Sequence, residues 1–237
     1  MLTIVYDNYE GEPGFERGWG FGCVVQGYEK TVLFDTGGSG DTLMHNLAKA
    51  GIEPNIIDAV VISHNHWDHA GGLDRFLTAN PGVALYPPAP VSRARRAKIE
   101  SEGGRVEHAR ESSEVCPGVR TTRLLGTLLK EQALSVETER GVVVLTGCAH
   151  PGVVELVRSA AETTGKTPYA VLGGFHLKDS SHTQVMQIVE GLRDAGIVRP
   201  GPSHCTGDAA IEKISEAFGD NFVKIGVGCR LGLPDLT

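Results

Sequence analysis

Three histidines and an aspartate fall within six consecutive positions of the stretch SHNHWDHAGG (63–72): His64, His66, Asp68 and His69. A neutral imidazole suits a borderline ion such as Zn²⁺ or Fe²⁺, and a carboxylate adds charge balance. Four donors in so short a loop serve two adjacent ions better than one, because a single tetrahedral ion can hardly take every donor from it. A polar surface loop is the bland alternative. It accounts for a lone histidine better than for four donors placed directly after an apolar run. Metals here would lower the pKa of water to roughly 7, and a pair about 3.5–4 Å apart could hold a nucleophile and steady a developing oxyanion.

The elements that must position this loop are legible around it. Asp58–Ile62 reads as a strand, so the donors sit on a strand-to-helix turn, and alternate spacing puts His64 and His66 on one side of an extended segment. Further strand-like runs are Leu2–Tyr6, Phe21–Gln26, Thr31–Phe34, Val83–Tyr86, Gly118–Leu124, Ala133–Glu137, Val142–Leu145, Tyr169–Leu172 and Phe222–Ile225. Helical spacing recurs in DTLMHNLAKAG, GVVELVRSAAETTG, HTQVMQIVEGLRDAG and TGDAAIEKISEAFGD, with a helix start expected at Thr206. The order is strands first, then mixed elements, then strand–helix alternation. An α+β arrangement of two sheets face to face with helices outside fits it, since each helix has one apolar face to bury. Residues 87–110 are the least core-like and read as a lid or insertion on a single domain of 1–237. They carry Arg93, Arg95 and Arg96, which read either as a clamp for a substrate anion or as a solvated helix face.

Composition bounds the function. The 237 residues include 41% hydrophobic and 22% charged, a globular balance, and can bury a core without disulfides. A net charge of −7 disfavours nucleic acid and anionic lipid as partners. The N-terminus MLTIVYDNYE lacks a signal-peptide pattern, and five cysteines without close pairing fit reduced thiols in a cytoplasm. The expected partner is a small anionic substrate, and a homo-oligomer is compatible with the sequence.

The donor loop, as His64-Asn65-His66-Trp67-Asp68-His69, resembles the His-x-His-x-Asp-His hallmark of the metallo-β-lactamase superfamily. LFDTGG (33–38), LTGCAHPG (145–152), LGGFHL (172–177) and SHCTGD (203–208) resemble its later loops, so the likeness spans most of the chain. It implies an αββα four-layer sandwich with two divalent ions at one edge, zinc first, with iron or manganese as alternatives. It also implies that His64 and His66 join a later histidine, for which His150 is the choice, and that Asp68 and His69 join another, His204. Asp35 ends a strand beside this loop and could accept the free N–H of a ligand histidine, or be a turn aspartate. Many members carry a bridging aspartate that has no counterpart here. Cys148 stands in a comparable place and His176 nearby, and either could be a ligand or neither. Two divalent ions, Asp68 and one hydroxide sum to about +2, which favours an anionic ester, and a Cys148 thiolate would reduce that by one. The reading is therefore a dinuclear metal-dependent hydrolase, with Asp68 orienting the hydroxide and His176 assisting the leaving group. The motifs together look most like the dihydropterin ribofuranosylaminobenzene phosphate synthase-like branch. That likeness implies the alternative of a pterin-type transferase using the same metals to assist diphosphate departure.

Overall fold

The computed structural model describes residues 1–107, 111–233 and 236. One sheet contains β1 (Leu2–Asp7), β2 (Phe21–Val25), β3 (Val32–Phe34), β4 (Ala59–Val61), β5 (Ala84–Tyr86), β6 (Arg105–Val106) and β13 (Arg230–Leu231), in the spatial order β13-β1-β2-β3-β4-β5-β6. The other contains β7 (Glu114–Cys116), β8 (Val119–Thr121), β9 (Leu134–Thr138), β10 (Gly141–Thr146), β11 (Pro168–Gly174) and β12 (Arg199–Ser203), in the order β12-β11-β10-β9-β8-β7.

Successive strand residues point to opposite faces, and here both faces are apolar, so both must be covered. Ile4, Phe21, Phe34, Leu134, Val143, Leu145 and Leu172 fill the space between the sheets. On the outer face of the first sheet, Val24, Leu33 and Val60 pack against α1 (Gly40–Lys49), α3 (Leu73–Ala79) and α4 (Arg93–Ser101). On the outer face of the second, Val142, Val144 and Val171 pack against α5 (Val153–Thr164), α6 (His182–Asp194) and α7 (Asp208–Phe218). The result is helix, sheet, sheet, helix. Helix α6 starts at a capping box in which Ser181 accepts from Gln184 N–H and Gln184 reaches back, and it buries Val185, Val189 and Leu192. No helix among the described residues is long and apolar enough to cross a membrane.

Strand direction decides where the chemistry lies. Strands β3 to β6 run parallel, as do β10 to β12. Because β1 and β3 are both antiparallel to β2, β1 runs with β3. The carboxyl ends of β1, β3, β4, β10, β11 and β12 lead into the loops that carry Asn8, Asp35, His64 to His69, Cys148 to His150, His176 and His204.

Two expectations change. Phe222–Ile225 is extended but joins no ladder: Val223 and Ile225 enter the core, and Val223 N–H donates to Pro200 C=O at 2.9 Å. The edge strand beside it is RPGPS (β12), whose prolines are tolerated because an edge strand needs fewer donors. Helix α7 begins at Asp208, after a 3-10 turn at His204–Thr206, and not at Thr206. Residues 87–107, the segment read as a lid or insertion, contain α4 and the outermost strand β6, with Ile99 and Val106 buried in one cluster with Leu77 and Leu85. Positions 108–110 of that predicted segment lie outside the described residues.

Candidate metal centre

Two sets of donor atoms form where the strand ends converge. His64, His66 and His150 make one; Asp68, His69, Cys148 and His204 make the other; in each, the donor atoms lie within 4.8 Å of one another. In the first, His64 Nε2 is 3.1 Å from His66 Nδ1. In the second, Cys148 Sγ is 3.2 Å from His69 Nε2 and 3.5 Å from His204 Nε2, and Asp68 Oδ2 is 3.3 Å from His204 Nε2. The sets adjoin: the His64 and His69 rings lie 4.2 Å apart, centroid to centroid.

A layer of acceptors fixes these imidazoles from outside. Asp35 Oδ2 accepts from His69 Nδ1 at 2.7 Å and from the Ser63 hydroxyl at 2.7 Å, while Asp35 Oδ1 accepts from Ser63 N–H at 2.7 Å. With its proton given to Asp35, Ser63 Oγ accepts from His64 Nδ1 at 2.9 Å. Glu131 Oε2 accepts from both His150 N–H and His150 Nδ1, at 2.8 and 2.9 Å. Its Oε1 accepts from the backbone N–H groups of Cys148 and Ala149, at 3.0 and 2.7 Å. Asn8 Oδ1 accepts from His204 Nδ1 at 2.8 Å. Each of His64, His69, His150 and His204 thus carries its proton on Nδ1 and turns the Nε2 lone pair inward, the tautomer a metal ligand needs. Gly147 permits this closure, since a Cβ there would collide with Ser63 Oγ and lie 3.0 Å from Asp35 Oδ2.

Burial, reinforced by neighbouring imidazoles, pushes His64 and His69 down to about 3, so both stay neutral at physiological pH. Burial would raise the Glu131 carboxyl, but the hydrogen bond from His150, the His64 imidazolium that forms only at low pH and the backbone donors outweigh it and bring it to about 2. Burial also opposes ionisation of Asp68, yet hydrogen bonding to His204 and the charge of His69 hold it well below the usual carboxylate range. Asp35, wholly buried, is pushed up to about 7. Neutral inward-facing imidazoles with an ionised carboxylate and a thiol between them fit a pair of divalent ions by donor chemistry.

The backbone is strained at this edge and nowhere else among the described non-glycine residues. Asp35, Ala149, His176 and His204 have φ of 57°, 62°, 54° and 50°. One such residue costs about 1–3 kcal/mol. That is the size of what one fully buried Val or Leu contributes, so the double core sustains it.

All six predicted metal donors come together, and Asp35 and Cys148 join them. His176 stacks on His150 at 4.5 Å between ring centroids. The arginines do not join. Arg95 pairs with Asp74 at 2.6 Å, and Arg96 with Glu100 at 3.2 Å and with the Val106 carbonyl at 2.9 Å. The solvated-face alternative fits Arg95 and Arg96, whose guanidiniums engage carboxylates on α3 and α4. Glu131, Ser63 and Asn8 escaped the sequence reading. Ser63 adjoins the hallmark and could have been noticed, whereas Asn8 reaches its histidine across 196 positions.

The rim is aromatic and cationic. Trp67 is 65% exposed, Trp19 stands 4.9 Å from the His204 ring, and Lys178 Nζ lies 5.5 Å over Trp19. A depression of about 480 Å³ adjoins His150 and Pro151 under the loop of Leu125 to Leu129. Another, of about 530 Å³, is lined by Asn8, Arg17 and Trp19 on the His204 side.

The family model of the metallo-beta-lactamase superfamily matches residues 23–197, most of the chain. The chain belongs to the metallo-beta-lactamase superfamily. Within it, the chain is 27% identical to a 7,8-dihydropterin-6-methyl-4-(beta-D-ribofuranosyl)-aminobenzene-5'-phosphate synthase of Methanocaldococcus jannaschii, covering 96% of this chain and 93% of that protein. It is similar at 27% identity and a TM-score of 0.79, over 98% of both chains, to a crystal structure described as a metal-dependent hydrolase of the beta-lactamase superfamily. The fold is shared with the metallo-beta-lactamase fold protein YhfI of Bacillus subtilis, at 15% identity and a TM-score of 0.66 over 96% of each.

Proposed function

We propose that this metallo-beta-lactamase superfamily protein is a dinuclear metal-dependent hydrolase of a small anionic, phosphorylated ester, with zinc as the first choice of metal and iron or manganese as alternatives. The adjoining donor sets carry this reading: His64, His66 and His150 would hold one ion, and Asp68, His69, Cys148 and His204 the other. When bound, two such ions make hydroxide available near neutral pH and offset charge on a departing oxygen. The chain's own residues do the rest. Asp68, held ionised, accepts a hydrogen bond from the attacking water and so orients it. His176, whose pKa is raised first by its hydrogen bond with Cys205, keeps a proton to give to the leaving oxygen. Lys178 and Arg17 on the rim supply the anion contacts in place of Arg93, Arg95 and Arg96.

A second reading, a pterin-type transferase in which an aromatic amine displaces diphosphate, is favoured by two observations. The synthase relative carries that kind of name, and the two depressions, one beside each donor set, would let two reactants approach from opposite sides.

The deciding experiment incubates metal-loaded protein with phosphodiesters, phosphomonoesters, lactones and thioesters. In parallel it is given a pterin methyl diphosphate with an aromatic amine. Metal-dependent release of alcohol and phosphate from a phosphate ester, and no condensation, is expected. A condensation product from the paired reactants would replace the hydrolase with the transferase. Turnover that survives rigorous chelation would defeat both.

A further inference from the structure

Cys205 has no part in either donor set, yet it is buried at the same edge. Its Sγ donates to the Cys148 carbonyl oxygen at 3.6 Å. The Sγ atoms of Cys148 and Cys205 and a ring nitrogen of His176 lie within 4.8 Å of one another, as closely grouped as the donors of the other two sets. We propose that Cys148, His176 and Cys205 form a third metal position, selective for a thiophilic divalent ion of the zinc and cadmium class, with Cys148 shared as a bridging thiolate.

Three features beyond proximity support it. The donor chemistry is two sulfurs and one imidazole, which suits soft and borderline ions and disfavours the harder Mg²⁺ and Mn²⁺. His176 is held in the left-handed region at φ 54°, and such strain at a side chain facing a ligand set calls for a function. Gly174 keeps the space open: a Cβ there would lie 2.3 Å from the Gly147 carbonyl oxygen and 2.7 Å from Cys205 Sγ. Any other residue at 174 would occupy the space the thiol fills. An entry path exists as well, because His176 is exposed while both cysteines are buried. Binding would leave each thiol proton with solvent and take the His176 lone pair in place of its proton, so the leaving-group role of His176 belongs to the state in which this third position is empty.

The test titrates the full-length, metal-free protein with Co²⁺ and then Cd²⁺, anaerobically and with a phosphine reductant so that both cysteines stay reduced. Bound metal is counted by elemental analysis, and sulfur ligation is followed by thiolate-to-cobalt absorption and cadmium NMR. Wild type is expected to saturate at three equivalents, with the thiolate absorption rising again on the last. Cys205→Ser and Cys205→Ala, each checked for native circular dichroism, should stop at two equivalents without that rise, and Mn²⁺ should never fill the third position. Saturation of wild type at two equivalents would overturn the proposal. So would a third equivalent retained in both folded Cys205 variants. These are binding readouts, so they stand apart from whichever reaction the enzyme performs.

Discussion

The two principal donor sets are neighbours of opposite character. His64, His66 and His150 supply three imidazoles, with His66 exposed and His150 half-buried. Asp68, His69, Cys148 and His204 are all buried and bring a carboxylate and a thiol. A charged ligand in a dry setting attracts a cation far more strongly than a neutral one beside water. On the proposed reading, the buried set would be the tight, slowly exchanging position and the open set the one that solvent and substrate reach.

The largest test of this contrast is removal of one donor from each side. His66→Ala is expected to abolish metal-dependent turnover and cost one bound ion, while thermal unfolding stays near wild type because His66 is exposed. His69→Ala should abolish turnover too, but also lower Tm, since it strips the buried Asp35 of one partner. Equal effects on Tm would erase the distinction, and undiminished rates in His66→Ala would remove the site assignment.

A smaller effect sharpens it. Glu131→Gln perturbs the acceptor behind His150, and Asp35→Asn the acceptor behind His69. Outer partners of this kind are worth roughly 10–100-fold in metal affinity. Competition with a chromophoric chelator should therefore show Glu131→Gln weakening the looser equivalent and Asp35→Asn the tighter one. Both substitutions acting on the same equivalent would contradict the assignment.

The smallest effect is in pH. His64 and His69 are held near 3 in the metal-free fold, against about 6.5 unfolded. As pH falls from 6.5 toward 3 the unfolded chain takes up protons that the folded one refuses, so stability falls. Asp35, raised to about 7, works the other way: its contribution is complete below the unfolded value near 4 and is lost as pH rises through 7. Asp7, raised to about 6 by burial, acts like Asp35, but both have finished titrating in the fold by pH 4, so Tm of the metal-free protein should drop as pH is lowered from 4 to 3, where the refused histidine protons and the low Glu131 carboxyl remain. A Tm that rose over that interval would show that the imidazoles are not buried in the neutral form.

What could be read from sequence follows from distance along the chain. His64 to His69 are local, and their donor types alone announce a metal loop. His150 and His204 were legible only through resemblance, because nothing local distinguishes them from ordinary loop histidines. Glu131 was illegible: its role depends on three backbone donors at positions 148 to 150 folding onto it, a contact that periodicity cannot register. The helices and most strands could be read because each buries a repeating apolar face. Strand β12 could not, since Pro200, Gly201 and Pro202 have turn chemistry and the segment is a strand only through β11 beside it. The arginines of α4 stayed ambiguous in the sequence because a basic run looks the same whether it faces a substrate or its own carboxylates.

Because the reactive side chains hang from the downstream ends of strands that run together, the molecule separates its labour. The paired sheets carry the burden of folding, and a fringe of connecting segments carries the reactivity. Exchange of one such connector, the hairpin around Leu128 or the segment through Trp19, would alter what is admitted to the donor sets without disturbing the packed interior. A single scaffold can in this way pass from one reaction to another through changes confined to its margin.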